Sequence, residues 1–172
     1  MNHINLKGKI MIIVLEGPDG TGKTTLGHQL VKDLNVQYYH SGGPKTPKEL
    51  EDKMNELEIM AASNRCYIVD RVPYISELVY GYALRGESLI TAAQHQRYKE
   101  LAKLYIFCKP SARHNAQMSL DFKAHKPKDH TDAVIKNKDK IKDLYDGVFK
   151  KIPHIVYNMD NYKEVLQKCV DC

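Results

Sequence analysis

Short runs of apolar residues alternate along this chain with longer stretches in which apolar residues recur every three or four positions. The runs are Ile10–Leu15, Val36–His40, Cys66–Val69, Leu104–Cys108 and His154–Asn158. Each is too short for a helix and rich in β-branched or aromatic residues, which predicts five strands. The stretches between them predict helices over Thr24–Leu34, Ile75–Leu84, Thr91–Ala102, Asp132–Lys151 and Tyr162–Val170. A further helix is entered at Pro47, a residue suited to a first helical turn, and carries Leu50, Met54, Leu57 and Ala61 on one face. On the helix 132–151, Val134, Ile141, Tyr145, Val148 and Ile152 are the inward positions. Ser41-Gly42-Gly43-Pro44 and Lys109-Pro110 break the pattern as loops. Ser111–Thr131 has little periodicity and reads as a mobile lid.

Strands that are apolar throughout are buried on both faces, and their alternation with helices implies an α/β fold around a five-stranded parallel sheet. A chain of 172 residues suits one domain, so 1–172 is taken as a single unit. Ligands of such sheets gather at the carboxyl ends of the strands. The loop after Leu15, His40–Pro44, Asp70-Arg71 and Lys109–Arg113 all arrive there.

Composition narrows the function classes. No apolar run approaches the roughly 18 residues that cross a bilayer, and Met1–Lys9 lacks the apolar core of a signal peptide, so a cytoplasmic protein is expected. Of four cysteines, Cys66 and Cys108 fall in or beside apolar runs as small hydrophobes. Cys169 and Cys172 form a C-x-x-C without a second pair to complete a zinc site, and are read as part of a frayed terminal helix. A net charge of +5 suits a polyanionic partner, whether nucleotide phosphates or a nucleic-acid backbone.

The strongest chemical signal is Gly17-Pro18-Asp19-Gly20-Thr21-Gly22-Lys23-Thr24, a G-x-x-x-x-G-K-T phosphate-binding loop between a predicted strand and a predicted helix. Its glycines let backbone N–H groups converge on phosphate oxygens, and the helix N-terminus adds donors and the positive end of its dipole. Lys23 is expected to stand exposed and to reach the β- and γ-phosphates of ATP, with the Thr24 hydroxyl on Mg²⁺. Asp70 ends a buried strand, where a carboxylate is costly unless a cation or hydrogen bonds compensate it; Arg71 or a Mg²⁺-linked water is the expected partner. Arg71 also offers a planar fork to phosphoryl oxygens.

Leu15-Glu16-Gly17-Pro18-Asp19-Gly20-Thr21-Gly22-Lys23-Thr24-Thr25 resembles the opening of thymidylate kinases, and Ile68-Val69-Asp70-Arg71 resembles their aspartate–arginine motif. The likeness extends more loosely from Ile10 to about Ile152. It implies a P-loop, nucleoside-monophosphate-kinase-like three-layer fold and an ATP- and Mg²⁺-dependent phosphotransferase. Gly17 to Thr25 and the lid's Arg113 would bind ATP, Thr24 and Asp70 would hold the metal, and Lys23, Asp19, Asp70 and Arg71 would serve catalysis. In that family the loop acid, here Asp19, lies towards the acceptor sugar, and the arginine of the pair, here Arg71, contacts the acceptor-side phosphate.

The chain departs from the family where an arginine after the second strand usually holds the acceptor's 5′-phosphate. That place reads His40-Ser41-Gly42-Gly43-Pro44-Lys45, leaving Lys45 or Lys48 to substitute. The lid has one arginine, and the aromatic expected after the aspartate–arginine pair is Val72, with Tyr74 and Tyr80 nearby. This combination resembles the phage branch that phosphorylates 5-hydroxymethyluracil within DNA, whose acceptor is a hydroxymethyl oxygen and needs no 5′-phosphate pocket. A protein of that branch would act in the host cytoplasm, with His40 or Asp19 taking the hydroxyl proton. The acceptor expected is thus a pyrimidine deoxynucleotide, favoured within DNA, with a free deoxynucleoside monophosphate as the alternative. A nucleotide-binding switch using the same loop is a different class, against which Asp19, Asp70-Arg71 and the basic lid argue, since a switch needs no acceptor pocket.

Overall fold

A computed structural model of the protein describes residues 11–43, 46–110 and 128–172. Five parallel strands, β1 (Met11–Glu16), β2 (Gln37–His40), β3 (Cys66–Asp70), β4 (Leu104–Cys108) and β5 (Ile155–Tyr157), form one sheet in the order β2-β3-β1-β4-β5. The helices are α1 (Lys23–Leu34), α2 (Pro47–Ala62), α3 (Pro73–Leu84), α4 (Ala92–Tyr98), α5 (Lys128–Lys136), α6 (Lys138–Phe149) and α7 (Tyr162–Asp171). This is the α/β arrangement that the alternating pattern predicts.

Strand β1 explains the three layers. All six of its residues are buried, and side chains alternate across a strand. Met11, Ile13 and Leu15 join one apolar cluster with Leu26, Leu30 and Leu34 of α1 and Val165 and Cys169 of α7. Ile12 and Val14 join another with Leu50, Met54 and Leu57 of α2, Val79 of α3, and Ile141, Tyr145 and Phe149 of α6. Helix α1 lies so close to the sheet that a Cβ on Gly27 would stand 2.7 Å from Tyr38 Cε2.

Several element boundaries differ from expectation, each for a local reason. Helix α3 starts two residues early because Pro73 occupies its first turn. The helix over 91–102 is capped at Thr91 by a reciprocal bond with Gln94, but after Tyr98 it tightens into a 3₁₀ turn, Lys99–Leu101. There the Lys99 carbonyl accepts the Tyr105 hydroxyl at 2.7 Å. The long helix over 132–151 is two helices, broken at Asn137, whose side-chain amide donates to the Ala133 carbonyl at 2.9 Å and closes α5. Helix α5 begins at Lys128, so the last residues of the segment read as a lid, 128–131, are helical. Residues 111–127 of that segment lie outside the described residues.

The C-terminal helix is docked, not frayed. Val165 is 1% exposed and Cys169 fully buried against the α1 side of the sheet, because α7 presents an apolar face that the sheet would otherwise leave to water. No helix among the described residues is long and apolar enough to cross a membrane. Burial pushes the Cys169 thiol up to about 12, and Cys66 and Cys108 are equally enclosed, whereas Cys172 is partly exposed. A thiol reagent is therefore expected to modify Cys172 in the native protein and all four cysteines only in denaturant. Rapid native modification of Cys169 would show that α7 detaches.

Candidate active site

The loop between β1 and α1 turns through three glycines at positive φ, Gly17 (144°), Gly20 (77°) and Gly22 (79°). At Gly17 a side chain would also collide with the Cys108 carbonyl at the end of β4, so the loop lies against the sheet edge. Within the loop the Thr21 hydroxyl donates to the Pro18 carbonyl at 2.9 Å. The N-cap is Gly22, which has no side chain to cap the first turn of α1, and the helix N-terminus faces the loop's concavity. Thr24 and Thr25 are exposed on that first turn.

Lys23 is not the exposed cation that the motif alone suggests. It is 6% exposed, and its ammonium donates to the Pro18 carbonyl at 2.5 Å and to the Thr21 hydroxyl at 3.4 Å. The loop curls tightly enough to bring its own oxygen atoms within reach of the side chain. Burial, with repulsion from Arg71, lowers its pKa from 10.5 to about 8, against the attraction of Asp19 and Asp70.

Asp70 is compensated differently from expectation. Its Oδ2 accepts the Thr24 and Tyr38 hydroxyls, each at 2.7 Å, and lies 3.4 Å from His40 Nδ1. Oδ1 is buried and has no hydrogen-bond partner among the described residues. Burial alone pushes this carboxyl up, but the bonds from His40, Thr24 and Tyr38 and the charge of Lys23 outweigh it and hold it well below the usual range.

Arg71 turns away from Asp70. Its backbone is left-handed at φ 72°, uncommon for a residue other than glycine, which takes it out of the strand direction. The guanidinium donates to Asp19 Oδ1 at 2.7 Å and to the Tyr80 hydroxyl at 3.2 Å, and its Cζ lies 5.0 Å from the Tyr80 ring centre. Tyr80 in turn donates to Asp19 Oδ2 at 2.8 Å. The two charged residues are each only 9% exposed. Tyr80 thus joins the site as the aromatic partner of Arg71, eight residues beyond Val72 and about two turns into α3.

Glu16 is a site residue that the motif reading quoted but gave no role. It is fully buried, and its only sequence signal is a carboxylate ending an otherwise apolar strand. Its Oε1 accepts the Val72 N–H at 2.7 Å and the Ser76 hydroxyl at 3.3 Å; its Oε2 accepts the Tyr145 hydroxyl at 3.0 Å and the Gly17 N–H at 3.3 Å. Burial raises its pKa, against the Arg71 charge and the Val72 N–H.

Lys48, one substitute for an acceptor-phosphate cation, is an exposed member of an i,i+4 pair with Asp52 at 2.9 Å. Lys45 and Arg113 lie outside the described residues. His40 is half-exposed and directed at Asp70. Among the described residues no group of three or more His, Cys, Asp or Glu is arranged to hold a metal ion.

The buried Lys23 generates a direct expectation. One lysine ε-CH₂ resonance should titrate near pH 8 by NMR, and Lys23→Met should remove it. Between about 8 and 10.5 the unfolded chain keeps a proton that folded Lys23 has released, so the wild type gains stability relative to Lys23→Met as pH rises through this window. A difference that stays flat over the window would show Lys23 to be solvated.

No protein-family model matches the sequence. Among solved structures, the YorR protein from Bacillus subtilis in complex with phosphorylated GDP is similar at a TM-score of 0.66 and 19% identity, covering 93% of this chain and 94% of that one. Deoxyadenosine kinase from M. mycoides with bound dATP gives 0.63 at 12% identity, covering 94% and 100%. Thymidylate kinase from Ehrlichia chaffeensis gives 0.53 at 17% identity, covering 92% and 98%. Likeness at these identities concerns the chain's course through space, and the fold matches those of P-loop kinases.

Proposed function

We propose that the protein is an ATP-dependent kinase that transfers the γ-phosphoryl group to an acceptor hydroxyl, in first place the hydroxymethyl group of 5-hydroxymethyluracil in DNA. The observation that carries the reading is a division of labour at one sheet edge. The same two segments, the loop 17–24 and the end of β3, supply a donor-side pair, Thr24 with Asp70, and an acceptor-side pair, Asp19 with Arg71.

Phosphoryl transfer needs in-line positioning and positive charge more than covalent help. In this reading the loop N–H groups and the α1 N-terminus cradle the ATP phosphates, and Lys23 leaves the Pro18 carbonyl for the β- and γ-phosphate oxygens. The residues fit Mg²⁺: Asp70 Oδ1, which has no partner among the described residues, and the Thr24 hydroxyl bonded to the same carboxylate suit an ion that takes one or two protein oxygen ligands and otherwise water and phosphate. Charge supports it too, since Glu16, Asp19 and Asp70 face only Lys23 and Arg71 as buried cations of the described edge. When bound, Mg²⁺ would neutralise charge developing on the phosphate oxygens. As the acceptor oxygen bonds to the γ-phosphorus and the bond to ADP breaks, Asp19 receives the hydroxyl proton and Arg71 steadies the phosphoryl oxygens.

The DNA acceptor rests on two features. The usual 5′-phosphate arginine is missing from the sequence after β2, and Lys48 is exposed and paired with Asp52 on its own helix. The net charge of +5 suits a polyphosphate backbone, and the base would have to leave the stack to reach Asp19.

With γ-labelled ATP, label is expected on 5-hydroxymethyluracil DNA and not on unmodified DNA, and DNA affinity should fall steeply with salt. Label on deoxythymidine monophosphate, with the modified DNA unlabelled, would replace this acceptor by the free nucleotide. Label on no acceptor would leave a nucleotide-binding protein that is not a kinase.

The lysine adds a pH dependence. Phosphate oxygens favour the ammonium form of Lys23, so binding above pH 8 should take up one proton, and ATP affinity should fall by up to about tenfold per pH unit there. Calorimetry in buffers of different ionisation enthalpy measures the uptake; none at pH 9 would remove Lys23 from the phosphates.

A further inference from the structure

Glu16 is a buried carboxylate at the sheet edge to which phosphoryl transfer assigns no task. Four donors surround it, from three parts of the chain: the Gly17 N–H that opens the phosphate loop, Val72 and Ser76 at the start of α3, and Tyr145 midway along α6. Because every partner donates, the shell accommodates a carboxylate; a glutamine there would point its amide N–H₂ at a donor. Val72 directly follows Arg71, whose left-handed backbone needs to be held in place. The holding is by consecutive residues of β1: the Arg71 N–H donates to the Leu15 carbonyl at 3.0 Å, and the Val72 N–H to the Glu16 carboxylate at 2.7 Å.

We propose that Glu16, braced by Tyr145, is a positioning residue that fixes the phosphate loop and the Arg71 turn relative to one another. Resting on the kinase reading above, it explains how the donor and acceptor halves of the site keep register. Gly17 and Val72 share one carboxylate, so a shift of that carboxylate moves both. Displacing a reacting group by about 1 Å costs up to a hundredfold in rate. Tyr145 is suited to the brace because its ring is held independently, stacked 6.2 Å from Phe107 and edge-on to Tyr80 at 6.2 Å. Loss of its hydroxyl would therefore remove one hydrogen bond without emptying the core.

Tyr145→Phe is the discriminating variant. Its kcat should fall about tenfold with KM for ATP changed less than about twofold, because ground-state phosphate contacts remain while the transition-state arrangement loosens. Glu16→Gln should lose more, and the double variant should be no slower than Glu16→Gln alone, as for two residues acting as one unit. A merely structural role predicts the opposite split, a lowered Tm with wild-type kcat in the folded fraction, and that result would overturn the proposal, as would losses that multiply in the double variant. Should Glu16→Gln fail to fold, the kcat and KM of Tyr145→Phe decide alone. Amide hydrogen exchange reads the same joint without any substrate: Tyr145→Phe should speed exchange at Gly17 and Val72 and leave β5 unchanged. Unchanged exchange at both amides overturns the positioning role whatever the acceptor, whereas faster exchange in a protein that labels no acceptor supports it and discards the kinase reading.

Discussion

Charge taken out of water sets the terms at the carboxyl edge of this sheet. Glu16, Asp19, Lys23, Asp70 and Arg71 are each at most 9% exposed, in a region where an unpaired ion costs several kcal/mol even after relaxation, by the usual order of magnitude. Each one is held: Lys23 by loop oxygens, Asp70 by two hydroxyls and a histidine, Asp19 and Arg71 by one another, and Glu16 by four donors. Such an arrangement adds little net stability, because desolvation consumes most of the attraction. What it gives is fixed geometry, since each group has one place where its partners are satisfied. The proposed phosphoryl transfer would draw on that fixed geometry at Asp19, Asp70 and Arg71 more than on strength, because oriented charge acts only if it is already in position.

Register makes the clustering possible. Central β1 pairs with β3 on one side and β4 on the other, and in the β3 ladder Leu15 stands opposite Asp70, which stands opposite His40 of β2. The Asp70-Arg71 pair thus emerges beside the phosphate loop, and His40 arrives at the same level. A slip of one residue between β1 and β3 would turn Asp70 to the other face of the sheet. The alternation of β1 side chains between two apolar clusters opposes that slip, so the packing of Ile12, Ile13 and Val14 fixes the position of a carboxylate one strand away.

This division explains what was legible in the sequence. The phosphate loop, the strands and the convergence of loops on one edge follow from local pattern, because burial on both faces writes itself into nearly every residue of β1, β3 and β4; the edge strands β2 and β5 are mostly half-buried or exposed, and the expectation of burial on both faces does not hold for them. Pairings across the edge do not. Asp70-Arg71 reads as a neighbouring ion pair, yet one left-handed residue sends the guanidinium to Asp19, and no periodicity announces a positive φ at an arginine. The burial of Lys23 depends on the curl of its own loop, and the role of Glu16 on a helix more than 120 positions later in the chain. The break at Asn137 was within reach of the sequence, since an asparagine inside a helical pattern is a candidate for bonding back to its own backbone; the strong apolar face on either side of it hid the interruption.

Tyrosine supplies the common chemistry of these non-local pairings. Each of the three buried edge carboxylates receives one phenol hydroxyl: Asp70 from Tyr38 at 2.7 Å, Asp19 from Tyr80 at 2.8 Å and Glu16 from Tyr145 at 3.0 Å. The phenols come from β2, α3 and α6, so each carboxylate is tied to a different neighbouring element. A lysine or arginine in any of these places would bring a charge that also had to be desolvated, and a serine would not reach. Tyrosine buries an apolar ring in the layer between helix and sheet and presents a neutral donor at its tip. Burial raises the pKa of all three phenols, so they stay protonated and keep donating throughout the range where the carboxylates are ionised. The sequence has eleven tyrosines against three phenylalanines and no tryptophan, and three of the tyrosines serve these carboxylates. The aromatic residues here are chosen for their hydroxyls as much as for their rings, because the charges at the sheet edge require donors and the core around them cannot accept further charge.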